Sequence, residues 1–181
     1  MTKNELIGAL HNVLNNFVFG IVSSRLVTQE TWEKLATERA VFQAPQGEFL
    51  HVELEPLSRN MANPSDRKIL VEEFEKSLKR AMMSEGHELI LWYCEETKQY
   101  QNYKTEPWFQ FARIIRNIVS HKQGGVLRQW PEDLKKKGIP QVSWRNRIID
   151  EKMVGKDIEF THHEALQLFK DQVYFVVNKL T

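Results

Sequence analysis

Residues 108–121 read Trp-Phe-Gln-Phe-Ala-Arg-Ile-Ile-Arg-Asn-Ile-Val-Ser-His, and this spacing is typical of one deeply packed helix. Each helical residue advances by about 100°, so the polar residues fall within an arc of about 140°. This polar strip consists of Gln110, Arg113, Arg116, Asn117, Ser120 and His121. Apolar residues fill the rest of the circumference: Trp108, Phe111, Ala112, Ile114, Ile115, Ile118 and Val119. The pattern predicts a helix packed on most sides, with the polar strip facing a cleft, a partner or solvent.

The polar strip carries the residue types that can cleave RNA without a metal. Arg116 can hold a phosphate, and His121 can move protons near neutral pH. On a helix, Ser120 lies over Arg116 and Asn117 lies under His121, because each pair is four residues apart. Asn117 is therefore placed to orient the imidazole. A purely structural interpretation stays open here, since the helix dipole alone favours Arg and His near a helix C-terminus.

The composition indicates an ordinary soluble protein. At 181 residues the chain is long enough for one domain, 1–181, with its own core. A lone cysteine, Cys94, cannot form an internal disulfide, which favours a reducing, cytoplasmic setting. The first apolar segment is interrupted by His11, Asn15 and Asn16, so we expect neither a signal peptide nor a membrane span.

Charge is distributed unevenly around the polar strip. Between residues 113 and 147 there are nine Lys or Arg and only two acidic residues, Glu132 and Asp133, although the whole chain has a net charge of +1. A local basic region of this kind suits a polyanionic ligand such as nucleic acid. The alternative is a solvated, lysine-rich loop around residues 135–137.

Working outward from the polar strip, the flanking segments also predict helices. Apolar spacing predicts helices over about 3–26 and 29–43, the second of them stopped at Pro45-Gln46-Gly47. Residues 48–64 stay open between a strand and a helical turn. Two more helices are expected over about 66–84, ended by Gly86, and about 87–100. The charged side of the 66–84 helix, which includes Lys79 and Arg80, is interpreted as a solvent face.

The segments that follow complete an all-α (mostly) prediction. Thr105 is expected to cap the helix of the polar strip, and Gly124-Gly125 to end it. Residues 126–160 predict a small irregular or hairpin insertion. Thr161 and Glu164 form a capping box for a last helix to about Lys179, with an inward face of Leu166, Phe169, Val173, Val176, Val177 and Leu180. The sum is a bundle of about five to six helices. The capping box also explains His162-His163 better than a metal site does, and no metal or other cofactor is expected.

The run from Phe111 to His121 resembles the signature of the HEPN superfamily, small helical domains named for higher eukaryotes and prokaryotes nucleotide binding. That motif is an Arg, four to six residues and a His, with a polar residue, often Asn, directly after the Arg. Here the gap is four residues and the Asn is present. The resemblance covers the helix of the polar strip well and the helical layout more loosely, and residues 126–160 are not a standard family element.

The resemblance implies a metal-independent endoribonuclease of a toxin–antitoxin, abortive-infection or other antiviral system. Carried over, Arg116 and His121 become the catalytic pair and Asn117 a supporting residue, to which spacing adds Ser120. Arg113 and Lys122 are expected as flanking phosphate contacts. Family members typically form homodimers in which two motifs build one composite site, so RNA and a second copy are the expected partners. An antitoxin or a neighbouring defence protein stays open as a further partner.

Two other functions stay open at this point. Some members of the superfamily are catalytically silent domains that bind nucleotides or RNA or support dimerisation. A plain helical interaction protein is the third interpretation, and it predicts no RNA binding above the non-specific, salt-sensitive level.

Overall fold

A computed structural model of the chain describes residues 1–26, 28–43, 45, 47–120 and 125–181. These ranges are mostly helical, as the sequence predicts. The helices are α1 (Lys3–Leu26), α2 (Gln29–Leu35), α3 (Glu55–Ala62), α4 (Pro64–Glu96), α5 (Tyr100–Lys104), α6 (Phe109–Ser120), α7 (Glu132–Lys136) and α8 (His162–Lys179). Two antiparallel hairpins accompany them: β1 (Arg39–Gln43) with β2 (Phe49–Glu53), and β3 (Gln141–Trp144) with β4 (Arg147–Asp150).

The chain divides into two compact units. The larger unit comprises Met1–Phe17 and Leu78–Thr181, and the smaller unit comprises Val18–Ser77. Helices α1 and α4 each contribute residues to both. The polar strip belongs to α6 and therefore to the larger unit.

The core of the larger unit is built around α6. All seven apolar residues predicted to pack there are buried, which confirms the spacing argument: Trp108, Phe111, Ala112, Ile114, Ile115, Ile118 and Val119. The ring of Tyr103 lies 4.8 Å from Phe109 and 5.5 Å from Phe175 on α8, centroid to centroid. Burying a large apolar side chain contributes about 1.5–3 kcal/mol each. This packing holds the polar strip in a fixed orientation.

Helix α4 continues through Gly86, so the predicted break between 66–84 and 87–100 is wrong. Close packing, and not the end of a helix, requires a glycine at position 86. A Cβ atom added to Gly86 would lie 2.4 Å from Cε2 of Phe169, a fully buried residue of α8. Glycine allows α4 to approach that ring closely, and the backbone hydrogen bonds of the helix continue without a break on both sides of Gly86.

Substituting Gly86 with alanine is expected to lower the free energy of unfolding by about 1–2 kcal/mol. Overpacking a buried site costs about 1–3 kcal/mol, and the better helix propensity of alanine returns up to about 1 kcal/mol. Urea unfolding measures the difference. Gly8 in α1 is the matched control, because an added Cβ there meets no atom within 4 Å. Gly8→Ala should therefore stabilise the protein, and a stabilising Gly86→Ala would contradict the packing argument.

The predicted helix over 29–43 is correct only in its first half. Helix α2 begins after Thr28, whose hydroxyl accepts a hydrogen bond from the Thr31 amide at 3.3 Å, and it ends at Leu35. Residues Arg39–Gln43 instead form β1, paired with β2 from Gln43↔Phe49 to Arg39↔Glu53. The open segment 48–64 contains both predicted alternatives, strand β2 and then helix α3. Pro45 and Gly47, the latter at a φ of 83°, lie in the hairpin connection.

Thr105 does not cap α6, so that prediction is also wrong. Its hydroxyl donates to the Gln101 carbonyl at 3.0 Å, and Thr105 closes the short helix α5. Helix α6 begins at Phe109. Of the predicted end, Gly124 lies outside the described residues, and Gly125 has a φ of 108°.

The segment 126–160 contains the predicted hairpin. Strands β3 and β4 pair from Gln141↔Asp150 to Trp144↔Arg147. Trp144 is buried, its ring lies 5.5 Å from Phe111 of α6, and its indole N–H donates to Asp171 of α8 at 2.8 Å. The hairpin is therefore part of the core that supports α6.

The last helix begins as predicted. Thr161 and Glu164 make the reciprocal hydrogen bonds of a capping box. Of the predicted inward face, Phe169, Val176 and Leu180 are buried, whereas Val177 is 43% exposed. The buried face is rotated toward Ala165, Leu168, Gln172 and Phe175, since these also point into the core.

Helix α1 is the one described helix that is long and apolar enough to cross a membrane. It also supplies four core residues to the larger unit: Leu6, Leu10, Val13 and Phe17. The core helix of a soluble protein can have the same length and apolar composition.

Candidate functional site

The polar strip is present on α6 as far as the structure describes it. Arg113, Arg116 and Ser120 are half-buried and Asn117 is exposed. His121 and Lys122 lie outside the described residues, so their predicted roles stay predictions. The described part of the candidate site therefore consists of the Arg116 end of the polar strip and the residues that contact it.

Arg116 is held by two neighbours. Its Nη2 lies 2.7 Å from the Glu88 carboxylate, and its Nη1 donates to the Asn117 side-chain oxygen at 3.3 Å. The buried Nε has no hydrogen-bond partner among the described residues. The side chain is 32% exposed and that of Glu88 is 62% exposed. The guanidinium is thus oriented at the surface by a partner that solvent and ligands can reach.

One face of helix α4 carries polar residues at intervals of four, and these residues contact the C-terminal part of α6. The hydroxyls of Ser84 and Ser120 are 2.7 Å apart, and Arg80 Nε donates to the Val119 carbonyl at 3.2 Å. Together with Glu88, these residues line the polar strip from α4. Arg80 and Arg116, with the hydroxyls of Ser84 and Ser120 between them, offer several hydrogen-bond donors to an oxyanion.

The interpretation of the 66–84 charged side as a solvent face is therefore wrong for two residues. Besides Arg80, the Lys79 ammonium donates to the Phe160 carbonyl. Sequence reasoning also missed Ser84 and Glu88. The signal available was the spacing of Arg80, Ser84 and Glu88 at intervals of four on a helix, which places them on one face.

Arg113 is paired inside the larger unit. Its Nη2 lies 2.9 Å and 3.0 Å from the two carboxylate oxygens of Asp133. Partial burial alone would raise the pKa of Asp133, but the hydrogen bond and charge of Arg113 outweigh it and lower that pKa. The predicted phosphate contact by Arg113 would thus have to compete with a carboxylate that stays ionised.

The basic excess between residues 113 and 147 is partly neutralised by acidic side chains from outside this segment and from within it. Among the residues that the structure describes, at least five basic residues of this region have carboxylate partners: Arg113, Arg116, Lys135, Arg145 and Arg147. Three of the partners, Glu88, Glu164 and Asp171, come from α4 and α8, far away in sequence. Charge counted along the chain therefore overstates the positive field at this surface.

His87 is a second histidine near the polar strip, and it is buried. Its Nδ1 lies 2.8 Å from the Tyr103 hydroxyl, and its ring is 6.3 Å from that of Phe109. Burial and, to a smaller extent, the charge of Arg116 lower the pKa of His87 to about 4, against a smaller opposing effect of Glu88. His87 is therefore neutral at pH 7 and enclosed, which suits packing and not proton exchange with a bound substrate.

A hollow of about 430 Å³ lies on the β3–β4 hairpin, lined by residues 140–141 and 150–152, and it includes no residue of the polar strip. In the described part of the chain, no group of three or more His, Cys, Asp or Glu side chains is arranged to hold a metal. Comparison of the sequence and structure with known protein families, curated proteins and solved structures finds no match.

Proposed function

We propose that this chain is a metal-independent endoribonuclease of the HEPN type, acting as a toxin or an antiviral effector. The observation that carries the proposal is the Arg116 guanidinium, oriented at the surface by Glu88 and Asn117 and close in sequence to His121. An arginine fixed in this way can bind a scissile phosphate without first losing its side-chain freedom.

The reaction would use the 2′-hydroxyl of RNA as its nucleophile. His121 takes the proton of that hydroxyl while the 2′-oxygen attacks the adjacent phosphorus. The bond from phosphorus to the 5′-oxygen breaks, and a protonated His121 of a second copy gives that oxygen its proton. Arg116 stabilises the added negative charge on the phosphate. The products are a 2′,3′-cyclic phosphate and a 5′-hydroxyl.

In the proposed site, Asn117 would orient the imidazole and Ser120 would stay fixed by its hydrogen bond to Ser84. Arg113 and Lys122 are assigned to flanking phosphates. Glu88 need not block the substrate, because an exposed ion pair contributes only about 0–1 kcal/mol and a phosphate can replace the carboxylate.

One observation favours a second candidate, a catalytically silent domain that binds nucleotides or RNA. Arg113 and Arg116 both have carboxylate partners in the free protein, which reduces the positive charge offered to a substrate. This candidate predicts RNA binding without cleavage and expression in bacteria without growth arrest.

Incubating the purified protein with mixed RNA in EDTA tests the proposed function. We expect cleavage with 2′,3′-cyclic phosphate and 5′-hydroxyl ends, identified by end-labelling and mass spectrometry. An oligonucleotide carrying a single 2′-deoxy position should resist cleavage at that position, since the nucleophile is missing there. RNA that is bound but left intact would support the silent domain, and cleavage of the 2′-deoxy position would contradict the mechanism.

A further inference from the structure

Arg80 contacts the end of α6 and, in the described part of the chain, has no carboxylate partner. Arg113 and Arg116 are both paired with carboxylates. Arg80 instead donates from its Nε to the Val119 carbonyl at 3.2 Å. The helix dipole favours a cation at this carbonyl, but the contact uses only one of the five N–H donors of a guanidinium. Within these residues, the charge of Arg80 and the N–H groups of its two Nη atoms stay available to a further partner.

The sequence of α4 keeps acidic side chains away from Arg80. On a helix, the residues three and four positions away lie beside a given side chain. On α4 these residues are Lys76, Ser77, Met83 and Ser84, and none of them carries a carboxylate. An anion that approaches Arg80 therefore meets no negative charge from these positions.

The serine pair, Ser84 and Ser120, adds a hydroxyl donor beside Arg80. The two oxygens are 2.7 Å apart, so one hydroxyl donates to the other. Only one proton lies between the two oxygens, and the accepting hydroxyl keeps an O–H of its own. Both serines and Arg80 are half-buried, and Ser84 follows Arg80 by about one helical turn. Arginine and serine side chains are common donors to phosphate oxygens. The surface beside Arg80 thus has the chemistry of a phosphate contact.

Arg80 and Arg116 lie at opposite ends of the serine pair. Arg80 and Glu88, the partner of Arg116, are about 12 Å apart along the axis of α4, from a rise of about 1.5 Å per residue. This spacing suits two neighbouring phosphates of one strand better than a single phosphate. Val119, which Arg80 contacts, precedes His121 by two residues. Arg80 is therefore at the end of α6 from which the chain continues to the proposed general base.

We propose that Arg80 binds a phosphate next to the scissile phosphate of the RNA substrate, with the serine pair as a further donor. This inference rests on the proposed function, since it adds a substrate-binding residue to the same site. Arg80 suits this role better than Arg113, which would first have to leave the Asp133 carboxylate.

The assignment of Arg80 also defines the class of substrate. A phosphate contact positions a strand but reads no base, so Arg80 should act alike on all sequences. The substrate is then a strand that has a second phosphate beside the scissile one. A dinucleotide with a single phosphate lacks this contact and should be a poor substrate.

Cleavage of short oligonucleotides with one cleavable position tests the contact. Each oligonucleotide is centred on a site that the wild type cuts in mixed RNA, and every other position is 2′-deoxy. Neutral methylphosphonate linkages replace, one at a time, the phosphates on either side of the scissile one. With the unmodified oligonucleotide, Arg80→Gln should lower kcat/KM by about tenfold, mainly through KM, because a charge-assisted hydrogen bond is lost. With the neutral linkage at the contacted phosphate, wild type and variant should agree within about twofold.

Arg147→Gln is the matched control. Arg147 of β4 donates to the Glu159 carbonyl at 2.6 Å, so this variant also loses one charge and a hydrogen bond to a main-chain carbonyl. It should cleave every oligonucleotide as the wild type does, since the contacts of Arg147 in the described residues are with Glu159 and Glu164. Arg80→Lys keeps the positive charge and should recover most of the activity that Arg80→Gln loses.

The salt dependence of RNA binding gives a second readout that does not require cleavage. It is measured in a His121→Ala background, so that the RNA stays intact. The logarithm of the affinity falls with the logarithm of the salt concentration, in proportion to the number of phosphates contacted. Arg80→Gln should reduce this slope by about 0.7, the value for one phosphate of a single strand. Arg147→Gln and Arg80→Lys should leave the slope unchanged.

The possible outcomes separate this inference from the proposed function. If the wild type cleaves RNA but Arg80→Gln impairs the charged and neutral oligonucleotides equally, Arg80 has only a structural role and this inference alone is overturned. If the wild type binds RNA without cleaving it, the proposed function fails, and the salt slope decides about Arg80. An unchanged slope in Arg80→Gln would then overturn the phosphate contact as well. A wild type that does not bind RNA would overturn both.

Discussion

Replacing His121 with alanine is expected to lower the rate of RNA cleavage by about 10²–10⁴-fold, the usual contribution of a general acid or base. If two copies of His121 share the roles of base and acid, as proposed above, the loss should lie at the upper end of that range. The rate should be measured by single-turnover cleavage of a labelled RNA in EDTA, with the variant purified in the same way as the wild type.

The matched control for this prediction is His163→Ala. His163 is exposed on α8, and its ring nitrogen lies 3.1 Å from the Gln167 amide. Both variants should unfold at the wild-type denaturant concentration, while only His121→Ala loses activity. An unchanged cleavage rate in His121→Ala would contradict the proposed mechanism.

Arg116 provides an independent arm of the same experiment. Arg116→Lys keeps a positive charge but loses the planar fork that matches a phosphate, so it should cleave far more slowly than the wild type. Its folding should be nearly normal, because the Glu88 partner is exposed and the ion pair contributes little. A lysine variant with full activity would show that charge alone suffices at this position.

Helix α6 could be predicted from the sequence because its signal is local. Seven apolar residues recur at helical spacing, and the structure buries every one of them. The same pattern predicts which side of α6 faces the core, and it therefore places Arg116, Asn117 and Ser120 on the opposite, polar side. The residues opposite could not be found in this way. Glu88 and Ser84 reach the strip from a helix about 30 residues earlier, and their contacts depend on how α4 and α6 pack.

The errors in the fold prediction share one cause, which is that a residue type has more than one use. Gly86 was expected to end a helix, yet it serves a close contact with Phe169 inside one. Thr105 was expected to open α6, yet it closes α5. Residues 39–43 contain Ala40, Val41 and Phe42, which fit a helix or a strand, and pairing with β2 selects the strand. Tertiary contacts decide between such alternatives, and a single sequence does not display them.

His87 gives the second large expected effect, a loss of stability in mild acid. Its folded-state pKa of about 4 lies below the ordinary value of 6.5, chiefly because the imidazole is buried and also because Arg116 is nearby. The unfolded chain therefore binds a proton first as the pH falls. Stability from this residue is complete above pH 6.5, decreases between pH 6.5 and about 4, and is constant below. The total loss is about 3 kcal/mol by proton linkage.

Urea unfolding at intervals from pH 7 to pH 4 measures this loss. His87→Gln is the test variant, because glutamine is neutral at every pH and its amide can donate or accept a hydrogen bond with the Tyr103 hydroxyl. The difference in unfolding free energy between wild type and variant isolates His87 from carboxylates such as Asp133, which titrate in both proteins. That difference should shrink or reverse as the pH falls, whereas His163→Gln should follow the wild type. Parallel curves for wild type and His87→Gln would mean that His87 already takes up its proton in the folded state, and that the imidazole is not enclosed in solution.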